Sequence, residues 1–366
     1  MPIEYVSERK MSDNQEFRKK KKYETGSIPR EKSAPLRHIP RVAALHDMSS
    51  FGRCALTVVI PTLSAMGVQC VPVPTALLST HTGGFSDMYF RDLDTVGAVD
   101  GIGEHFRELR LDMDAVYTGF LGSDRQTATV RKFISDVTVG SGRKPLVFVD
   151  PVMGDDGVMY SACLPELADS MRDLIRVADV ITPNVTEACL LAGVPYIDTS
   201  GLSREEAEEF AADLVSRISC ITDAAVVITG ILAEMVPDGD PAALSFGESN
   251  GFDSCTGFSG LVGTYAAGKL HTQRSIGREY PGTGDIFSSV LLGDLLSHPE
   301  LRREHRDPAQ ILAALPHAAA AASEFTAYTI RYSVKYGSGE PARDGVLLEG
   351  CLDRLILNRS SKQEQE

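Results

Sequence analysis

Pro281-Gly282-Thr283-Gly284-Asp285-Ile286-Phe287, followed by an apolar run to Leu296, is the stretch on which the reading of this chain turns. Two glycines, Gly282 and Gly284, let the backbone take φ > 0 and come close to a ligand. Ile286, Phe287, Val290, Leu291 and Leu295 then recur at helical spacing, which predicts a buried helix from about Thr283. The first turn of such a helix carries unpaired backbone N–H groups and the positive end of the helix dipole, a ready anion site. Asp285 falls in that turn, where a carboxylate is stabilised and lies beside any bound phosphate. The same residues also read as a Gly-rich loop before an ordinary helix-start Asp. The rest of the chain decides.

The 366 residues are 43% hydrophobic and 23% charged, values of a globular chain with material for a large core, in one large α/β domain or two smaller ones. No apolar run approaches the ~20 residues that span a bilayer, and the lysine-rich amino terminus lacks the apolar segment of a secretory signal. Seven scattered cysteines form no C-x-x-C pair, which argues against a disulfide framework or a cysteine-built zinc site. A cytoplasmic protein without a membrane partner is expected. Net charge is −14, with ten Lys/Arg against six Asp/Glu in residues 1–40 and −18 on the remainder. An acidic body excludes nucleic acid as a natural partner. The basic cluster Arg18–Lys22 reads as part of a solvated, disordered tail over residues 1–40.

Order is expected from Arg41-Val42-Ala43-Ala44-Leu45-His46, an apolar run typical of a buried strand, with a polar turn at Asp47–Arg53 and a helix from Ala55 to Met66. Gln69–Val73 then forms the next strand, a β-loop-α-β unit that implies a mostly parallel sheet. The pattern recurs with strands at Ala115–Gly119, Leu146–Asp150, Val177–Thr182 and Ala224–Thr229, and with helices around Thr127–Val137 and Ala188–Leu191. Periodicity is lost from Leu232 to about Val262, read as an insertion or long loop. An alanine-rich helical region spans about Pro308–Tyr328, which Pro316 is expected to kink or divide. The folded domain is placed at residues 41–358, with a polar tail at 359–366.

Polar residues cluster just after successive apolar strands: Asp47, Asp150, Thr182 with Asn184, and Thr229 with Gly230. In open parallel sheets the ligand crevice lies at the carboxyl ends of the strands. Asp285 is then a candidate general base for phosphoryl transfer, which needs positioning, charge neutralisation and a proton acceptor more than covalent chemistry. Asp150 and Glu187 are candidate ligands of a metal or its waters, since magnesium takes few carboxylates and keeps several waters. Read blandly, they are a strand-ending Asp and a solvent-facing helix Glu. Ser79-Thr80-His81-Thr82-Gly83-Gly84 offers small hydrogen-bonding groups to a polar substrate, although His81 by its spacing reads as a satisfied turn histidine, and His46 as structural. No H-E-x-x-H, G-x-S-x-G or Walker-type G-x-x-x-x-G-K-[ST] occurs, which removes support for zincin, α/β-hydrolase and P-loop chemistry.

Asp150-Pro151-Val152-Met153-Gly154-Asp155, Thr182-Pro183-Asn184 with Glu187, and Gly282-Thr283-Gly284-Asp285 together resemble the ribokinase-like vitamin kinases. With Leu78-Ser79-Thr80-His81-Thr82-Gly83-Gly84 the set is most similar to the pyridoxal/pyridoxamine kinase branch, over about Arg41 to Tyr328. The resemblance implies a three-layer α/β/α fold and ATP-dependent phosphorylation of the 5′-hydroxymethyl group of a B6 vitamer. It also implies Mg2+ and a homodimer, and leaves a K+ requirement open. It assigns Asp285 as catalytic base and Gly282, Thr283 and Gly284 as anion hole. Asp150, Thr182, Asn184, Glu187, Thr229 and Gly230 fall on the nucleotide or metal side. Asp47, His81, Thr82 and Gly83 fall on the vitamer side.

Asp47 departs from the family, where many pyridoxal kinases carry Ser, and the extra carboxylate is expected to favour the aminated vitamer. Hydroxymethylpyrimidine (phosphate) kinases share the Asp-Pro-Val-Met and Thr-Pro-Asn motifs but typically show Gly-Thr-Gly-Cys, and sugar kinases of the superfamily tend to Gly-Ala-Gly-Asp. A silent vitamer-binding protein is the reading from another class. A nicotinamide oxidoreductase lacks the G-x-G-x-x-G after the first strand that it needs.

Overall fold

The structure is a computed structural model that describes residues 38–85, 87–160, 163, 166–233, 261–274, 280–302, 306–337 and 339–356. The expected tails, except for positions 38–40, and residues 234–260 of the expected insertion lie outside the described residues.

Nine strands form one sheet. In chain order they are β1 (Arg41–Phe51), β2 (Gln69–Thr80), β3 (Phe90–Asp92), β4 (Ala115–Thr118), β5 (Leu146–Val149), β8 (Val180–Ile181), β9 (Ala225–Ala233), β10 (Leu261–Ala266) and β11 (Lys269–Arg274). A separate small hairpin pairs β6 (Gly154–Asp155) with β7 (Val158–Met159). The order across the main sheet is β11-β10-β9-β8-β5-β4-β1-β2-β3. The six strands from β2 to β9 are mutually parallel; β3 and β10 run antiparallel to them, and the edge strand β11 runs antiparallel to β10. Helices cover both faces, so the central strands read as continuous apolar runs.

Alternation along the strands divides the core in two. Val42, Ala44, Ala115, Tyr117, Leu146 and Phe148 face a layer built by α1 (Leu56–Ala65), α7 (Thr283–Leu295) and α8 (Pro308–Tyr336). Ala43, Leu45, Val116, Val147 and Val149 face the opposite layer of α2 (Ala98–Leu109), α3 (Arg125–Ser141), α4 (Glu166–Ile175), α5 (Val185–Ala192) and α6 (Arg204–Ile218). The three-layer α/β/α arrangement expected from the sequence is the observed one. Among the described residues, no helix is long and apolar enough to cross a membrane.

Three expectations change. The polar turn placed at Asp47–Arg53 begins later, because β1 continues to Phe51 through a register shift against β2 that keeps Ser49 buried. The strand expected to end at Thr229-Gly230 runs to Ala233, because β10 pairs alongside it, Val262 facing Leu232. Pro316 does not divide its helix: α8 is continuous over 29 residues. The hydrogen bond that Pro forfeits is outweighed by the packing of Ile311, Leu315, Ala318, Ala319 and Ala322 in one core.

β1 connects through α1 to β2 on one side, while its other neighbour is β4. The strand order therefore reverses between β1 and β4, the point at which open parallel sheets bind ligands beyond the carboxyl ends of their strands. β1 carries His46 and Asp47 just past the residues that it pairs with β4, and Gly119 follows the end of β4.

Candidate active site

The turn before α7 is built as its sequence suggests. Gly282 takes φ +81, ψ 0 and caps the helix, and a Cβ there would stand 2.1 Å from the Arg53 carbonyl oxygen. Only glycine meets both demands. Thr283 Oγ1 donates back to the Tyr280 carbonyl (3.0 Å), and no side chain caps the first turn of α7. Its leading N–H groups and dipole are thus directed at the crevice.

Asp285 lies in that first turn. Its Oδ2 accepts a hydrogen bond from the Ala55 N–H (2.8 Å), the residue that starts α1 with φ +49. The side chain is 16% exposed, so the carboxylate is recessed but reachable. Burial raises it to about 7; the Ala55 hydrogen bond opposes the rise and the Asp47 charge adds to it. A carboxyl group held there is half-ionised near neutrality, the condition for a general base.

Asp47 is buried, accepts from Ser49 Oγ (2.7 Å), and is pushed by burial to about 6. Asp150 closes β5. Ser288 Oγ donates to its Oδ2 (3.1 Å) and is paired with Thr182 Oγ1 (3.0 Å), so Thr182 and Asp150 meet through the third residue after Asp285. Burial, then the charge of Asp285, raises Asp150 to about 8.

Glu187 is not solvent-facing. It is 3% exposed and forms a capping box with Asn184 at the start of α5. Its Oε1 accepts from Met153 N–H (3.0 Å) and its Oε2 from Asn184 N–H (2.9 Å), which ties α5 to the Asp150-Pro151-Val152-Met153 turn. Burial and then the Asp150 charge push it well above the usual carboxylate range. The Asp150 charge thus adds to the rise at Glu187, while among the described residues no group of three or more His, Cys, Asp or Glu that could hold a metal ion occurs. Asn184 Nδ2 donates to the Gly154 carbonyl (2.8 Å), and Thr229 lies beside Asn184 in an isolated parallel bridge. Gly230, at φ +72, is exposed next to it.

His81 is buried and engaged at both ring nitrogens. Nδ1 accepts from Gly83 N–H (3.1 Å), which leaves Nε2–H to donate to the Arg343 carbonyl (2.6 Å). It is the satisfied turn histidine that its spacing suggested, and it shapes the loop carrying Thr82 and Gly83 instead of offering a free polar atom. Phe85 stands edge-on to His81 and to Phe51, under the Arg343 guanidinium. Sequence reasoning did not single out Ser49, Ser288, Arg53 or Arg343. Ser288 alone had a signal, three residues beyond Asp285 on one helix face.

The family model for phosphomethylpyrimidine kinase matches residues 59–342. The chain belongs to that family. Members of it phosphorylate small molecules, and this chain is an ATP-dependent small-molecule kinase. It is similar to the pyridoxine/pyridoxal/pyridoxamine kinase of Bordetella avium, at 27% identity over 72% of this chain and 79% of that one. Among solved structures it is similar to a candidate phosphomethylpyrimidine kinase from Bacteroides thetaiotaomicron in a crystal form with pyridoxal: 34% identity, TM-score 0.65, 87% of this chain and 96% of that one. The fold is also that of the pyridoxal kinase from Leishmania donovani in complex with ADP and pyridoxamine: 21% identity, TM-score 0.61, 86% and 95% covered. Membership of the phosphomethylpyrimidine kinase family leaves the acceptor to be argued from the site.

Proposed function

We propose that this chain transfers the γ-phosphoryl group of ATP to the 5′-hydroxymethyl group of a B6 vitamer. The observation that carries the reading is Asp285 at the start of α7, recessed, raised to about 7, and set beside an uncapped helix start. Asp285 takes the hydroxyl proton as the alkoxide oxygen attacks the γ-phosphorus and the bond to ADP breaks. Charge on the transferred oxygens is met by the backbone N–H groups of the Gly282-Thr283-Gly284 turn, a preorganised hole that needs no rearrangement during reaction.

Asp150 and Glu187 would hold Mg2+, which supplies charge neutralisation to the phosphates. Thr182, Asn184, Thr229 and Gly230 line the nucleotide side. Asp47, Thr82 and Gly83 bound the vitamer side, with His81 acting through the loop. A homodimer and a cytoplasmic location belong to the same reading. The B6 kinase among the relatives and the pyridoxal-bound neighbour support a B6 acceptor. Hydroxymethylpyrimidine phosphorylation is the second reading, favoured by the family match; the Asp at position 285, where that activity typically has Cys, argues against it.

The test is ATP consumption with pyridoxal, pyridoxamine, pyridoxine and hydroxymethylpyrimidine as acceptors. Turnover is expected with the three vitamers, and well above that with the pyrimidine. No phosphorylated vitamer above background overturns the reading.

A further inference from the structure

His46 lies on β1 directly beneath the candidate base. Its ring is fully buried, and among the described residues neither nitrogen has a hydrogen-bond partner. Such a group costs stability unless something compensates. The ring is also held rigidly. It stands edge-on to Tyr117 at 4.2 Å, and a Cβ on Gly119 would come within 2.2 Å of Nδ1. β1 and β4 thus leave room for this ring only because residue 119 lacks a side chain. The charged group nearest the ring is Asp285, with Nδ1 3.8 Å from Oδ1.

The proton's position follows. Burial keeps the ring neutral, its pKa held near 3, so one nitrogen carries hydrogen and the other a lone pair. A proton on Nε2 would bury an orphan N–H and turn a lone pair toward a carboxylate. A proton on Nδ1 gives Asp285 a donor and leaves an orphan acceptor, the more tolerable of the two. We propose that His46 is a positioning residue for the base: its Nδ1–H donates to Asp285 Oδ1 while the Ala55 N–H holds Oδ2, so that the ionised carboxylate is fixed from both sides. The contact closes from 3.8 Å in the substrate-bound state, since catalytic hydrogen bonds are often long in the free enzyme. The inference rests on the reading of Asp285 as base.

A donor to the ionised form lowers the pKa of its acceptor. Asp47 and Asp150 face Asp285 with like charge, and the Cys54 thiol and Tyr117 hydroxyl adjoin it in neutral form. Removing the His46 donor therefore leaves the Ala55 N–H alone against the groups that keep the carboxyl protonated, and the acid limb of kcat moves to higher pH.

The experiment compares His46→Asn, His46→Gln and His46→Leu, with Asp285→Asn alongside, each checked by thermal melting. Asn sets its amide where Nδ1 stands, Gln where Nε2 stands, and Leu keeps bulk alone. The expected result is that Leu and Gln lower kcat about tenfold to a hundredfold, the usual scale for a hydrogen bond to a charged group. KM for ATP and vitamer should hold within about twofold, the acid limb should rise by roughly one pH unit, and Asn should restore most of kcat. Equal activity in Leu and wild type overturns the proposal, as does rescue by Gln but not Asn, or a loss of kcat that follows the folded fraction with no shift of the acid limb. If Asp285→Asn is itself fully active, the base assignment fails first. If Asp285→Asn is inactive and His46→Leu is not, this inference alone fails.

Discussion

The two ends of the same sheet treat their carboxylates in opposite ways. Beyond the amino ends of the strands, Asp112 and Asp114 pair with Arg143 (2.7 and 3.2 Å), and Asp179 pairs with Arg306 (3.0 Å) and Lys144 (3.5 Å). These ion pairs also fasten the strand starts: Asp114 accepts from Arg41 N–H and Asp179 from Val147 N–H, both at 2.8 Å. At the carboxyl ends, Asp47, Asp150, Glu187 and Asp285 have no ion pair with any described Lys or Arg, and all four are raised. One end neutralises its charge internally and is finished as structure. The other keeps uncompensated acids, a state that suits a proton acceptor and a cation.

Substitutions at the two ends should separate activity from stability. Asp285→Asn is expected to lower kcat by at least ~10²-fold, while nucleotide binding, measured by calorimetry, survives because the backbone N–H groups remain. Normal turnover would falsify the mechanism. Arg306→Leu at the opposite end strands Asp179 with less compensation. It should cost about 2 kcal/mol of stability in denaturant titrations with kcat per folded molecule unchanged; a selective loss of kcat would break the contrast.

A smaller effect comes from pH. Each raised acid keeps its proton in the folded chain where the unfolded chain has already lost it, so stability falls as pH rises through the folded value. His46, lowered to about 3, works in the other direction only up to its ordinary 6.5. Between pH 6.5 and 8 the acids act alone, with Asp285 at about 7 and Asp150 at about 8. Stability should decline there by about 1–2 kcal/mol, and Mg2+ should offset the decline by pairing with Asp150 and Glu187. A flat profile, or one that Mg2+ leaves unchanged, counts against uncompensated acids at this end. The smallest expected change is in acceptor choice: Asp47→Ser should shift kcat/KM from pyridoxamine toward pyridoxal by roughly tenfold, about one charged hydrogen bond. No change in that ratio rejects a role for Asp47 in selecting the amine.

The Gly282–Asp285 turn was legible because its requirements are local: an αL residue, a helix start and a carboxylate in the first turn occupy four consecutive positions. The apolar runs that become the doubly covered strands β1, β4 and β5 are legible for the same reason. Glu187 was seen as a candidate, but not its buried capping box. That depends on how the turn before β6 docks on α5, a contact spanning 34 residues. Asp47 was assigned to a turn because polar residues read that way, whereas pairing with β2 extends the strand past it. Helix α2 was overlooked although Val99, Ile102 and Phe106 sit at helical spacing in its core-facing stripe. His46 reads as structural from its place at a strand, and that Gly119, 73 positions later, gives its ring a seat is visible only in the fold.

Arg53 carries a consequence for how the protein is made. Its carbonyl abuts Gly282, its N–H donates to the Asp344 carbonyl (3.0 Å), and Gly345 is pressed against its side chain. Its guanidinium grips Glu349, 296 residues away. A loop made before α1 is thus completed by a residue made 296 positions later, so the candidate site's corner lacks a wall until translation has passed Glu349. A nascent chain holding every candidate catalytic group would still be an unfinished kinase.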